Sequence, residues 1–147
     1  MLKLRSRAAE RVAHFCIPSG PDFGQQPPRA TGRTGSPSRP TKLYVANATA
    51  TPREILVYDV TDNGTKFANK RVLLTAEPGG TPDGFRVDVD GNLWCGRGRG
   101  NAQQDGVKVF DSTGKWIGFI ALPERCANVA FGGVKRNRLF MAAGPSV

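Results

Sequence analysis

From Thr41 onward, apolar residues come in short runs enriched in β-branched, aromatic and leucine side chains, and each run is closed by turn residues. That pattern announces antiparallel strands. It predicts strands at Lys42–Ala46, Ile55–Tyr58, Arg71–Leu74, Phe85–Val89, Leu93–Cys95, Val107–Phe110, Trp116–Ala121, Ala127–Phe131 and Leu139–Ala142. The punctuation between them is specific: Asp62-Asn-Gly64, Asp90-Gly91, Thr113-Gly114 and Gly132-Gly133 supply the positive φ that tight hairpins need.

The strands also repeat. Lys42-Leu-Tyr-Val-Ala46, Asn92-Leu-Trp-Cys-Gly96 and Arg138-Leu-Phe-Met-Ala142 recur at a spacing of 46 to 50 residues. Val57-Tyr-Asp-Val60 is answered 52 residues later by Val109-Phe-Asp-Ser112. A period of about 40 to 50 residues holding roughly four strands is that of a propeller blade. A sandwich would also give many short strands but would not explain the period.

Residues 1–40 read differently. Arg5–Phe15 has the spacing of a short amphipathic helix, with Ala8, Ala9, Val12 and Phe15 on one side, too short to be stable alone. Ile17–Pro40 is crowded with Arg, Pro, Gly and Ser and has neither helical nor strand period. It offers too little apolar surface to offset chain entropy, and disorder is expected. The division is therefore a basic leader over 1–40 and one folding unit over 41–147.

Charge changes this picture little. Of the net charge of +9, +5 falls in residues 1–40 and +4 in the remainder. A basic arm of this kind can adhere to phosphate backbones through counterion release, but without sequence specificity. No specific nucleic-acid partner is expected. The chain start carries Lys and Arg but lacks the apolar run of a signal peptide, and no membrane span is present in the pattern, so the expected location is cytoplasmic.

The inventory of reactive side chains is short. Cys16, Cys95 and Cys126 are the three cysteines, with no C-x-x-C pair and no histidine cluster, which signals neither a disulfide framework nor a zinc site. Cys95 and Cys126 fall within strand patterns and read as core thiols. His14, the one histidine, lies in the leader, so a Ser-His-Asp or Cys-His arrangement has no members in the folding unit.

The stretch Gly80-Thr-Pro-Asp-Gly-Phe-Arg-Val-Asp-Val-Asp-Gly-Asn-Leu-Trp94 resembles the P-D-G-[hydrophobic]-x-x-D-x-x-G-N-L-W signature of the SMP-30/gluconolactonase/LRE-like family. Gly106-Val-Lys-Val-Phe-Asp111, Gly118-Phe-Ile-Ala-Leu-Pro123, Cys126-Ala-Asn-Val-Ala-Phe-Gly-Gly133 and Arg138-Leu-Phe-Met-Ala142 follow in the family's order. The resemblance covers about residues 42–143. It implies an all-β, six-bladed β-propeller, of which this chain carries about two blades plus edges. It also implies a divalent cation, calcium or zinc, held by a Glu, an Asn and an Asp, and hydrolysis of a sugar lactone.

The Asp of the P-D-G segment corresponds to Asp83, which the resemblance makes both the metal ligand and the catalytic residue. A carboxylate facing the channel can bind a cation and also orient or deprotonate water. The family's Glu precedes the matching region, and Thr31-Gly-Arg-Thr-Gly-Ser-Pro37, where its Asn would fall, holds none. One carboxylate does not satisfy a hard cation that takes about six oxygens.

Other candidates have plainer readings. Asp88 and Asp90 are explained by strand alternation and an Asp-Gly turn. Gly96-Arg-Gly-Arg-Gly100 can cradle an anion through backbone N–H groups and the guanidiniums of Arg97 and Arg99, against which stands a solvated loop. Trp94 and Trp116 read as packing aromatics, and Asn128 as a turn or inter-blade hydrogen-bonding residue. Two functions follow: a gluconolactonase-like lactone hydrolase, here an incomplete copy of low or no activity, or a non-enzymatic propeller fragment that associates through open strand edges. Nucleic-acid binding through the leader ranks last, resting on charge alone.

Overall fold

The computed structural model describes residues 13–16, 41–98, 103–134 and 137–144. Its strands are β1 (Ala13–Cys16), β2 (Lys42–Asn47), β3 (Glu54–Thr61), β4 (Lys66–Thr75), β5 (Pro82–Val87), β6 (Leu93–Arg97), β7 (Gly106–Phe110), β8 (Trp116–Ala121), β9 (Cys126–Gly132) and β10 (Arg138–Ala143). They form a four-stranded sheet β1-β2-β3-β4, a four-stranded sheet β5-β6-β7-β8 and a pair β10-β9. Neighbours are antiparallel throughout, except that β1 lies parallel to β2. Among the described residues no helix is long and apolar enough to cross a membrane.

The middle sheet is covered on both faces, and its sequence shows why. Every residue of β6 is buried, matching the near-continuous apolar run Leu93-Trp94-Cys95. Leu93 and Cys95 join Tyr44, Ala46, Ile55, Val57, Leu74, Phe85 and Phe110 in one core against the first sheet. Trp94 points the other way, into a second core with Val107, Val109, Cys126, Val129 and Ala143. Alternation of side chains along each strand builds both cores from the same residues. Each fully buried aliphatic side chain contributes about 1.5 to 3 kcal/mol.

Three expectations are corrected. The strand expected at Arg71–Leu74 begins at Lys66, because β4 is an edge strand whose exposed Lys66, Asn69, Lys70 and Arg71 need no apolar alternation. Its Asn69 has φ +50°, and the ladder shifts register opposite Tyr58. The strand expected at Phe85–Val89 runs instead from Pro82 to Val87, since proline is tolerated at a first strand position and Asp88 turns the chain. Ala13–Cys16 is a strand rather than the end of the helix expected over Arg5–Phe15, because the edge of β2 offers backbone partners, with Ala13 opposite Leu43 and Cys16 opposite Ala46. The rest of the leader, including Ile17–Pro40 for which disorder is expected, lies outside the described residues.

Two hairpins of the middle sheet close with the same wiring. Asp88 Oδ1 accepts the N–H of Asp90 (3.0 Å) and Asn92 (2.8 Å), and Asp111 Oδ1 accepts that of Thr113 (2.8 Å) and Lys115 (3.1 Å). Gly91 and Gly114 follow with φ +82° and +86°, in the left-handed region that favours glycine. Hydrogen bonding by Thr113 holds the Asp111 carboxyl below its ordinary range. Asp88 does more, since its Oδ2 accepts the indole N–H of buried Trp94 at 2.9 Å. Asp88→Ala is expected to cost about 1 to 2 kcal/mol, read as a lower urea midpoint, because it strands that N–H along with the turn amides. An unchanged midpoint would show that water replaces the carboxylate at no cost.

Candidate functional site

Asp83 is the second residue of β5 and is exposed. It lines a cleft of about 790 Å³ together with Arg53, Thr81, Gly98, Arg125, Ala127, Ala142 and Gly144. The lining comes from strand ends: Arg53 precedes β3, Gly98 follows β6, Arg125 precedes β9 and Gly144 follows β10. The volume suits a small ligand, whose pockets are usually about 300 to 1,000 Å³. The charged lining residues are one carboxylate and two guanidiniums.

The floor of this region is shaped by close backbone approach. A Cβ at Gly84 would lie 2.4 Å from Asn128 Oδ1 and 2.8 Å from the Ala127 carbonyl oxygen, so β5 and β9 meet nearly in backbone contact. Asn128 Oδ1 also accepts the N–H of Val129, its neighbour in the same strand, at 2.9 Å. Thr81 Oγ1 donates to the Gly98 carbonyl at 2.7 Å and ties the start of β5 to the end of β6.

Cys95 and Cys126 are buried thiols. Burial pushes Cys95 up to about 12, its position against the Asp83 backbone notwithstanding, and burial likewise raises Cys126. Neither is a thiolate nucleophile at neutral pH.

A divalent cation does not fit the described residues. They include no group of three or more His, Cys, Asp or Glu side chains able to hold a metal ion. Beside Asp83 the cleft presents guanidiniums, which oppose a second positive charge. Among the described residues Asp83 is not grouped with two further His, Cys, Asp or Glu side chains into a ligand set.

Arg97 is placed differently from the solvated loop weighed for Gly96–Gly100. It ends β6, is only 6% exposed, and pairs with Glu77, which also accepts Lys108 Nζ at 2.6 Å. Arg99 and Gly100 lie outside the described residues. Burial of Glu77 disfavours its charge, yet hydrogen bonds from Lys108 and Arg97 outweigh it and hold the carboxyl down to about 2. Arg97 Nε and Nη2 have no hydrogen-bond partner among the described residues. Trp116 is corrected as well: it is 58% exposed, with Lys108 Nζ 4.3 Å from its ring centroid, so it caps a cation rather than packing in a core.

Residues 36–144 match the SMP-30/Gluconolactonase/LRE-like region. The chain belongs to this family. It is 30% identical over 127 residues to a gluconolactonase of Zymomonas mobilis, covering 81% of this chain and 33% of that protein. Its fold is similar to that of a gluconolactonase from Xanthomonas campestris, with 34% identity, a TM-score of 0.60 and coverage of 71% of this chain and 32% of the other. A luciferin-regenerating enzyme is similar at 26% identity and a TM-score of 0.59, over 73% and 35% of the respective chains. The chain thus spans about a third of the length of these SMP-30/gluconolactonase relatives, and it shares their all-β, propeller-type architecture. The family match begins six residues before Lys42, where the P-D-G resemblance was expected to start, and ends at Gly144.

Two residues of the cleft carried no mark in the sequence. Arg53 and Arg125 sit in turns between strands, 72 positions apart, and only the convergence of strand ends brings them beside Asp83.

Proposed function

We propose that this chain is a segment of a gluconolactonase-type propeller and contributes Asp83 to a site that opens sugar lactones. In that reading the two four-stranded sheets are blades of a six-bladed wheel, and β9 and β10 begin a further one. The observation that carries the proposal is the exposed Asp83 carboxylate in a ligand-sized cleft beside two guanidiniums.

The chemistry needs three things of the protein: a base, a neutraliser of developing charge, and a place to hold the ring. Asp83 accepts a proton from water as the water oxygen attacks the lactone carbonyl carbon. Arg53 or Arg125 stabilises the oxyanion that forms. Collapse of the tetrahedral species breaks the ring C–O bond, and the proton held by Asp83 passes to the leaving alkoxide. The product hydroxy acid then ionises at neutral pH. A cation in the family's manner would polarise the carbonyl, but the described residues do not hold one and no step here depends on it.

The test is proton release from gluconolactone followed with a pH indicator, against buffer alone. Because the cleft is open to water, the chain is expected to exceed background weakly, and Asp83→Asn to remove about tenfold of that excess. Excess activity that survives Asp83→Asn would overturn the role of Asp83. No excess at all would favour the second reading, a non-catalytic propeller segment that associates through strand edges, to which the half-exposed Phe140 on β10 lends support.

A further inference from the structure

The two guanidiniums of the cleft are the cations among its lining residues. Among the described residues, Arg53 and Arg125 take part in no ion pair and no side-chain hydrogen bond; their backbone carbonyls accept Ala76 N–H (2.8 Å) and Gly144 N–H (3.1 Å). The carboxylate closest to Arg53 along the neighbouring 600 Å³ cleft is Glu77, which is already taken by Arg97 and Lys108. Glu124 brings its carboxylate against the Gly144 backbone without pairing to either arginine. Arg97 itself is closed off from solvent and cannot serve a ligand. An open cleft whose two guanidiniums pair with no described residue, against the single Asp83 carboxylate in its lining, attracts an anion.

We propose that this cleft binds a polyhydroxy carboxylate, the ring-opened form of a sugar lactone, through Arg53 and Arg125. The inference rests on the lactone reading of the site for the identity of the anion, and it assigns the carboxylate that ring opening creates to the two guanidiniums. Guanidiniums bind carboxylates by paired charge-assisted N–H donation, while the backbone at Gly98 and Gly144, which also lines the cleft, is offered to the hydroxyls. Asp83 opposes the same anion, so it favours release.

Gluconate binding to the whole chain, measured by titration calorimetry, tests this, with sorbitol as a neutral polyol of the same carbon count and inorganic phosphate as a bare anion. Gluconate is expected to bind at least about tenfold more tightly than sorbitol, and to weaken as salt is raised. It is also expected to bind more tightly than phosphate, which lacks the hydroxyl chain. Arg53→Gln with Arg125→Gln should lower gluconate affinity about tenfold, as expected for charge-assisted bonds lost at an exposed site. Asp83→Asn should raise it while lowering lactone opening. Both arginines are at least partly exposed, and near-ultraviolet circular dichroism checks that the variants keep the fold. Equal binding of gluconate and sorbitol, or a double variant with wild-type affinity, overturns the inference. Gluconate binding without lactone opening leaves the inference standing and sinks the catalytic reading instead; lactone opening without a preference for the anion does the reverse.

Discussion

Gly96→Ala is expected to destabilise the fold by about 3 kcal/mol or more, seen as a large fall in urea midpoint. Gly96 lies in β6, where the middle sheet meets β9. A Cβ there would stand 2.7 Å from the Cys126 carbonyl oxygen and 3.2 Å from the Gly84 carbonyl oxygen. Both obstacles are backbone, so no side-chain rotation relieves them, and separating the strands would open the core around Trp94 and Val129. Gly118 supplies the control. A Cβ at that position meets Val109 side-chain carbons at 3.8 and 3.9 Å, an ordinary contact, and alanine there should be neutral or slightly stabilising. If Gly96→Ala and Gly118→Ala behaved alike, β6 and β9 would not approach as closely as described.

Glu77→Gln is expected to cost about 1 kcal/mol at neutral pH, because it leaves the buried Arg97 guanidinium without its counter-charge. The same carboxyl makes stability depend on acid. Its value falls from the ordinary 4.5 to about 2 on folding, so its contribution is fully present above 4.5 and is lost as the pH drops through about 2. With 42% of the side chain exposed, solvent screening limits that contribution to about 1 kcal/mol. Urea midpoints measured across that window should decline in the wild type and decline less in Glu77→Gln. Parallel declines would assign the acid sensitivity to other carboxylates. Asp59, held low by hydrogen bonds from Lys42 and Asn69, is such a group.

Hydrophobic spacing reveals the strands wherever burial forces it. Trp116–Ala121 is found at its expected bounds, and the strands at Lys42 and Leu93 begin where expected, each ending one or two residues later. It fails at edges: the first half of β4 is mostly exposed, with Phe67 and Ala68 among Lys66, Asn69 and Lys70 in no regular alternation, and β1 is placed by a neighbour's open edge rather than by its own pattern. The site follows the same division. Asp83 stands out as a candidate because its Pro-Asp-Gly setting is contiguous, and it lines the cleft. Glu77, Arg97 and Lys108 were not, being 20 and 31 residues apart along the chain and united only by the fold. Arg53 and Arg125 were invisible for the same reason.

The order of strands in the middle sheet, β5-β6-β7-β8, has every neighbour adjacent in sequence as well as in space. Forming it closes only short loops, and two of its three turns are wired locally by Asp88 and Asp111. A meander of this kind has low contact order and is expected to assemble quickly, with the flanking sheets packing onto its two apolar faces. The segment that carries Asp83 thus belongs to a sheet whose strands all find their partners next to them along the chain.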